Sequence, residues 1–347
     1  MDVTATVWTL LPPIIAIALA LITKEVYSSL MIGILSGALL YTGFHPLKAV
    51  ETTFTIMGSK LGDNINICIF LVLLGILVSL ITKSGASRAY GEWAVKTIRS
   101  RRGASFATSF LGMFIFVDDY FNCLTVGTVM RPVTDKYNIS RAKLAYIIDA
   151  TAAPVCIIAP ISSWAAAVGS SLPESSTLDG FSLFLKTIPL NLYALLTLAF
   201  LIWLMAADFD FGPMKKYELA HKDDDLSLIE ETHVVAGSGK VYDLILPISV
   251  LIVLCIAGML YTGGILEGAN IVEAFANCDS STALVLGSFF TLLFTFVLYI
   301  PRKVLSFGQF CEAFTEGFKA MVPAILILTL AWTLSGVCRE EYLNIGG

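Results

Sequence analysis

Two adjacent carboxylates, Asp118 and Asp119, interrupt an apolar run that begins at Phe114. One carboxylate at membrane depth costs roughly 2.5–3.5 kcal/mol on insertion scales. No Lys or Arg lies between Gly103 and Met130 to neutralise the pair. Because apposed carboxylates repel each other, one of them binds a proton more tightly and can release it when a cation arrives. The pair therefore predicts a shared site for protons and a small cation.

Polar side chains continue beyond the two aspartates in the same apolar region. Hard cations prefer oxygen ligands from carboxylates, amides, hydroxyls and carbonyls. The residues of this first group that carry such oxygens are Asp118, Asp119, Tyr120, Asn122, Thr125 and Thr128. Alternatively, one aspartate of the pair could serve only to cap the helix that begins near Phe121.

A second polar group follows further along the chain. Its members are Asp149, Thr151, Ser162 and Ser163. Pro154 and Pro160 lie among them, and proline removes a backbone hydrogen bond and breaks a helix, which frees carbonyl oxygens for an ion. We therefore expect a discontinuous helix over residues 144–171. The alternatives are an ordinary proline kink and, for Asp149, an ion pair with a basic residue of the loop 131–143.

The composition is that of a membrane protein. Hydrophobic residues make up 56% of the 347 residues and charged residues 14%, whereas soluble domains carry about 25% charged residues. The mean hydropathy is +0.81. The net charge of −5 argues against a nucleic-acid partner. We expect an all-α polytopic membrane protein.

Regions that could cross the membrane follow from the apolar runs and the loop charges. The candidate spans are 8–23, 26–43, 64–83, 144–171, 182–207, 241–262, 281–300 and 320–338. The apolar stretch 104–130, which contains the aspartates, has basic residues on both flanks, and Lys and Arg favour cytoplasmic loops. We therefore expect 104–130 to be a re-entrant hairpin, or two full helices, entered from the cytoplasmic side.

The run from Leu10 to Gly85 resembles the run from Leu244 to Gly336, including its polar positions. The first copy starts outside and the second starts inside, which predicts repeats of inverted topology, as in secondary transporters. We expect a first repeat at 1–207, a cytoplasmic linker at 208–240 and the start of the second repeat at 241–347. The first repeat continues from Gly85 to residue 207, whereas the second stops at Gly347, shortly after Gly336, so we expect the chain to be truncated at its C-terminus.

The polar segments resemble the hallmark region of NhaC-type sodium/proton antiporters, which belong to the ion-transporter superfamily. The similarity lies in residues 116–127 (FVDDYFNCLTVG), 131–136 (RPVTDK), 149–156 (DATAAPVC) and 160–164 (PISSW). The resemblance implies a coupling-ion site at Asp118, Asp119, Asn122, Thr125, Thr151, Ser162 and Ser163, with sodium at Asp118 and Asp119. Asp149, Tyr120 and Thr128 could also contribute.

The resemblance favours sodium/proton antiport in the cell inner membrane. The alternative is a sodium- or proton-coupled carrier of an organic acid, such as malate or lactate, or of an amino acid. The sequence has no Walker-type phosphate loop, which argues against an ATP-driven pump. Two adjacent aspartates in one segment also argue against an intramembrane aspartyl protease, so we expect a transporter and not an enzyme.

The expected partners are the lipid bilayer, sodium ions and protons, and a homodimer is compatible with the pattern. No cofactor is expected beyond the transported Na⁺ and H⁺.

Overall fold

The structure is a computed structural model that describes residues 6–116, 118–160, 162, 164, 168, 180–221, 237–339 and 341–344. Within these ranges the chain forms helices and no β-strand, which confirms the predicted all-α class. The α-helices are α1 (Leu11–Thr23), α2 (Val26–Tyr41), α3 (Pro46–Asp63), α4 (Ile65–Ser84), α5 (Ala86–Thr97), α6 (Arg101–Phe114), α7 (Asp119–Lys136), α8 (Arg141–Cys156), α9 (Gly180–Thr187), α10 (Leu192–Ala207), α11 (Gly212–His221), α12 (Val241–Thr262), α13 (Ile271–Ala276), α14 (Ser280–Tyr299) and α15 (Phe307–Cys338).

Several helices are long and apolar enough to cross a bilayer. In the described part of the chain, α4, α12, α14 and α15 each satisfy this test. Two bent pairs also qualify if each pair is counted as one span: α2 with α3, bent by 117°, and residues 182–190 with α10, bent by 53°. The protein is therefore a multi-pass membrane protein, and its described residues contain four to six candidate spans.

Met1–Leu71 and Ala320–Gly347 form one compact unit. Its described core contains Ile34 and Ile56 together with Leu330, Val337 and Leu343. Small residues allow α1 and α2 to pack closely, because a side chain at Gly33 would overlap Ala16.

Val72–Lys319 form the second unit, which contains the predicted ion site. Here α6, α7 and α8 contact one another, α5 packs on α7, and α10 packs on α8. In the same unit, α12 packs on α14 through small residues: a Cβ atom at Gly258 would lie 2.8 Å from the Ala283 carbonyl oxygen.

The predicted hairpin consists of α6 and α7, which are joined by residues 115–118. Ser100 caps α6 by accepting a hydrogen bond from the Gly103 amide. With 14 residues, α6 is about 21 Å long, shorter than a hydrocarbon core of about 30 Å. This length favours a re-entrant segment, which stays a prediction, as does the inverted repeat.

The predicted discontinuous helix begins as α8. Ser140 caps its start, and the helix continues through Pro154 before it ends at Cys156. The structure therefore places the end of the helix two residues beyond Pro154, which has no N–H to donate to the Ala150 carbonyl four residues earlier. The second half of the predicted helix lies mostly outside the described residues.

Some helices were not predicted from the sequence. They are α3 and α5, which are less apolar than the spans, and α11, which lies at the start of the predicted linker. The last predicted span starts at residue 320, whereas α15 begins at Phe307.

Candidate functional site

Asp118 and Asp119 lie where α6 gives way to α7, and they occupy different positions. Asp118 is the N-cap of α7: its Oδ1 accepts a hydrogen bond of 2.9 Å from the Phe121 amide. The side chain is buried, with 2% exposure. The helix-cap alternative therefore describes part of what Asp118 does, since a cap satisfies a backbone donor of the first turn.

Asp119 is the first residue of α7 and is only partly buried. Its carboxylate accepts hydrogen bonds from the Tyr120 amide and from the indole N–H of Trp164. Trp164 follows α8 in the chain, so this contact brings the second predicted polar segment to the first. The two adjacent carboxylates thus have different partners, which distinguishes their chemical environments.

Asn122 lies one turn beyond the pair on the buried face of α7 and is fully buried. Its Nδ2 donates to the Gly112 carbonyl at 2.5 Å and to the Ile115 carbonyl at 2.8 Å. Its Oδ1 is buried and has no hydrogen-bond partner in the described part of the chain. Asn122 therefore fixes the end of α6 with its donors and keeps one amide oxygen available as a ligand.

Thr125 has a second buried oxygen without a hydrogen-bond partner among the described residues, in this case a hydroxyl. The residue is buried, and within the described ranges its Oγ1 has no hydrogen-bond partner. Buried polar atoms are paired in the great majority of cases, so each exception calls for an explanation such as an ion or a water. Asn122 and Thr125 together supply two neutral oxygens that suit a small hard cation.

Thr151 of α8 lies beside Gly112 of α6, close to Asn122 of α7. It is fully buried, and its hydroxyl donates to the Ile147 and Ile148 carbonyls at 2.7 and 3.0 Å. A Cβ atom added to Gly112 would lie 2.7 Å from Thr151 Oγ1 and 3.6 Å from Asn122 Oδ1. Gly112 thus allows α6, α7 and α8 to meet around polar atoms. Gly112 was not among the predicted site residues, and its signal in the sequence is a glycine close to the end of an apolar stretch.

Ser162 is buried and lies just beyond α8. Its hydroxyl donates to the Cys156 carbonyl at 2.6 Å and to the Ala159 carbonyl at 3.0 Å. These bonds satisfy carbonyls at the end of the helix. Ser163, the neighbouring predicted ligand, lies outside the described residues.

The remaining candidates are less central. Tyr120 is partly buried in the first turn of α7. Thr128 is exposed, and its hydroxyl donates to the Leu124 carbonyl at 2.7 Å, so the structure does not bring it to Asn122 and Thr125. Asp149 is exposed and lines an open recess of about 560 Å³ with Cys123.

The expected ion pair between Asp149 and the loop 131–143 does not form with the two bases nearest to it in sequence. Arg141 pairs with Asp135 at 2.7 Å and Lys143 pairs with Asp210 at 2.8 Å. Asp149 therefore stays an accessible carboxylate beside α7.

The donor set is one of carboxylates, an amide and hydroxyls. No group of three or more His, Cys, Asp or Glu residues that could bind a transition metal occurs among the described residues. Such a set of oxygens fits an alkali cation or a proton better than zinc or iron.

Four to six apolar spans and a buried cluster of oxygen atoms at a helix junction define a multi-pass membrane protein with a candidate cation site. The sequence profile of the Na⁺/H⁺ antiporter family matches residues 167–342. An uncharacterized protein of Haemophilus influenzae is 36% identical over 357 residues, which cover 98% of this chain and 68% of the relative. No solved structure matches.

The chain belongs to the Na⁺/H⁺ antiporter family, which is a family of ion transporters. This confirms the sodium/proton antiporter resemblance at the level of the family. The matched range starts at residue 167, beyond Asp118, Asn122 and Thr151. The roles of these residues therefore depend on the geometry of the site rather than on the family match.

Proposed function

We propose that this protein is a secondary active transporter of the NhaC type in the cell inner membrane, which exchanges sodium ions for protons. Membership of the Na⁺/H⁺ antiporter family supports this proposal. One structural observation carries it: the buried oxygens of Asn122 and Thr125 have no partner in the described chain and follow the Asp118–Asp119 pair on the same helix.

The two buried oxygens without hydrogen-bond partners in the described chain lower the stability of the folded protein. Each buried donor or acceptor that lacks a partner costs about 1–3 kcal/mol. A bound cation would recover this free energy by coordinating the Asn122 amide oxygen and the Thr125 hydroxyl oxygen. The protein thus gains stability when the ion binds, and the binding free energy of the ion includes the cost of the unpaired oxygens.

The carboxylates supply the charge that neutral oxygens lack. Asp118, through its cap of α7, and Asp119, through its bond from Trp164, are held at one end of the polar cluster. A proton on the pair and a sodium ion beside it compete for the same negative charge. Exchange then takes place because binding of the sodium ion favours release of the proton, and binding of the proton favours release of the sodium ion.

The experiment measures sodium-driven proton movement in proteoliposomes. The purified chain is reconstituted with a pH-sensitive dye inside, and sodium is added outside. We expect Asp119→Asn and Asp118→Asn each to lower the initial rate by at least about tenfold, a loss of about 1.4 kcal/mol or more in transition-state stabilisation. Malate, lactate and amino acids added in place of sodium should drive no proton movement.

Asp279→Asn is the matched control. Asp279 also caps a helix, with its Oδ1 accepting from the Thr282 amide at 3.1 Å, but it lies at the start of α14. This variant should retain the wild-type rate. The proposal is wrong if both Asp118→Asn and Asp119→Asn exchange sodium for protons at the wild-type rate.

A further inference from the structure

An apolar cavity of about 280 Å³ lies at the end of α10, apart from the cation site. Its walls include Tyr146 and Ile147 of α8, Phe200 and Leu204 of α10, and Phe209 and Met214 of the segment that follows. The volume is about nine times the ~30 Å³ that one water molecule occupies in the liquid. Such a cavity can take an apolar group much larger than a solvent molecule.

The helix α10 beside the cavity has an exposed apolar face. Apolar side chains on α10 are exposed, among them Leu192, Leu196 and Trp203. A contiguous apolar surface on a membrane helix is suited to contact acyl chains. An apolar chain could thus reach the cavity from the bilayer.

Aromatic rings mark this end of α10 as a membrane boundary. Trp203 contacts Phe200 and Phe209, with ring centroids 5.8 and 6.2 Å apart, and Phe209 contacts Phe211 at 6.2 Å. Tryptophan and tyrosine side chains concentrate where the hydrocarbon core meets the headgroups, and Trp203 is such a residue. The chain also becomes polar here, at Asp208 and Asp210.

Among the described residues around the cavity, the charged side chains leave an excess of positive charge. Lys143, which lines the cavity, is paired with Asp210 at 2.8 Å. Arg101 is paired with Glu218, and its Nε is buried without a partner in the described chain. The acidic groups are thus already matched by bases.

Two further bases remain beside the cavity. Lys215 and Lys216 follow the cavity residue Met214 directly, are exposed, and form no salt bridge in the described ranges. Their helix, α11, is fixed in place because buried Glu218 accepts a hydrogen bond of 2.9 Å from the Ser140 amide. The two lysines therefore follow directly after the cavity-lining residues Pro213 and Met214 on a helix that is held in place.

We propose that this cavity binds an anionic phospholipid, with an acyl chain among the apolar walls and the phosphate near Lys215 and Lys216. Basic residues next to a membrane span attract anionic headgroups of the cytoplasmic leaflet, each by about 1 kcal/mol near the surface. The lysines provide charge complementarity for this lipid and give no preference for a zwitterionic one. The site is independent of cation binding at Asn122 and Thr125.

The experiment measures lipid binding by the purified full chain. Phosphatidylglycerol, phosphatidylcholine and inorganic phosphate are titrated separately in detergent, and the apparent unfolding temperature is followed. A ligand that binds the folded state raises this temperature with its concentration. We expect phosphatidylglycerol to raise it at lower concentrations than phosphatidylcholine, and inorganic phosphate to have no effect.

Met214→Trp fills the cavity and should weaken phosphatidylglycerol binding about tenfold, or about 1.4 kcal/mol. Leu196→Trp, at an exposed position of α10 that does not line the cavity, is the control and should bind as wild type. If Met214→Trp does not fold, Leu204→Trp fills the same space. The double variant Lys215→Ala, Lys216→Ala should lose the preference for phosphatidylglycerol over phosphatidylcholine.

If Met214→Trp and the wild-type protein bind phosphatidylglycerol with equal affinity, the lipid does not enter the cavity and the proposal is overturned. Equal effects of the two lipids on the wild-type protein, or an equal effect of inorganic phosphate, would also overturn it. Because the readout is binding and not transport, the proposal can fail or hold regardless of whether the protein exchanges sodium for protons.

Discussion

The helices α7 and α14 both bury polar side chains inside a largely apolar unit. They differ in whether the buried side-chain oxygens have hydrogen-bond partners. On α14, the hydroxyls of Ser288, Thr291 and Thr295 donate to the carbonyls of the preceding turn at 2.7–2.8 Å. On α7, Asn122 and Thr125 each leave a buried oxygen without a partner in the described chain. A buried polar residue therefore marks a ligand site only where the helix does not satisfy it.

The charged residues of the two regions differ in the same way. Asp243, in the first turn of α12, is fully buried and paired with Arg302, whose two terminal nitrogens lie 2.5 and 3.2 Å from its carboxylate oxygens. The hydrogen bonds to Asp243 raise the pKa of the Arg302 guanidinium. Asp118 instead caps α7, and Asp119 accepts a hydrogen bond from Trp164.

The largest expected effect on stability lies in the α12 region. Asp243→Asn leaves Arg302 without its carboxylate and should lower the free energy of unfolding by about 3 kcal/mol, the lower part of the range for a broken buried pair, because Arg302 is partly exposed. The midpoint of unfolding in denaturant measures this loss. The sodium affinity of the folded fraction should not change, and a weakened affinity would contradict the separation of the two regions.

Glycines at close helix contacts give the next largest effect. A Cβ atom at Gly287 of α14 would lie 2.8 Å from the Cys255 amide nitrogen, and one at Gly112 of α6 would lie 2.7 Å from Thr151 Oγ1. Both Gly287→Ala and Gly112→Ala should lower the free energy of unfolding by about 1–3 kcal/mol through overpacking.

Only Gly112→Ala should also weaken sodium binding, because its methyl group displaces Thr151 at the place where α6, α7 and α8 meet. Gly127→Ala on α7 is the control, since its Cβ atom would meet only Ile148 Cδ1 at 3.7 Å. Sodium titrations of all three variants, normalised to folded protein, separate the two regions. Equal sodium affinities for Gly112→Ala and Gly287→Ala would show that Gly112 does not contribute to the sodium site.

The long apolar helices could be predicted from sequence because hydrophobic runs of span length have few other interpretations. The predicted spans 241–262 and 281–300 agree within one residue with α12 and α14. The helices α3 and α5 could not be predicted in this way, because they carry more polar residues and a run-length criterion does not detect them. Their positions depend on packing that is not local in sequence.

The candidate site could be predicted in part. Asp118, Asn122 and Thr125 were identifiable because polar residues in an apolar run are rare. Which oxygens lack a partner could not be known, since Thr125 and Thr291 look alike in sequence and differ only in their backbone neighbours. The contact of Trp164 with Asp119 and the role of Gly112 both depend on the way α6, α7 and α8 meet.

The smallest structural change gives the cleanest comparison. Valine has the shape of threonine but replaces the hydroxyl with a methyl group. Thr125→Val removes an unpaired buried oxygen, so the free energy of unfolding should stay unchanged or rise by up to about 1 kcal/mol. Thr291→Val removes a hydroxyl that donates to the Gly287 carbonyl, so the free energy of unfolding should fall by about 0.5–1.5 kcal/mol.

The most direct measurement is the sodium dissociation constant of the purified wild-type, Thr125→Val and Thr291→Val proteins by isothermal titration calorimetry. We expect Thr125→Val to bind sodium about tenfold more weakly than wild type, which corresponds to about 1.4 kcal/mol, and Thr291→Val to bind it with wild-type affinity. Wild-type affinity in Thr125→Val, or an equal loss in both variants, would contradict the claim that the unpaired oxygens of α7 bind the cation.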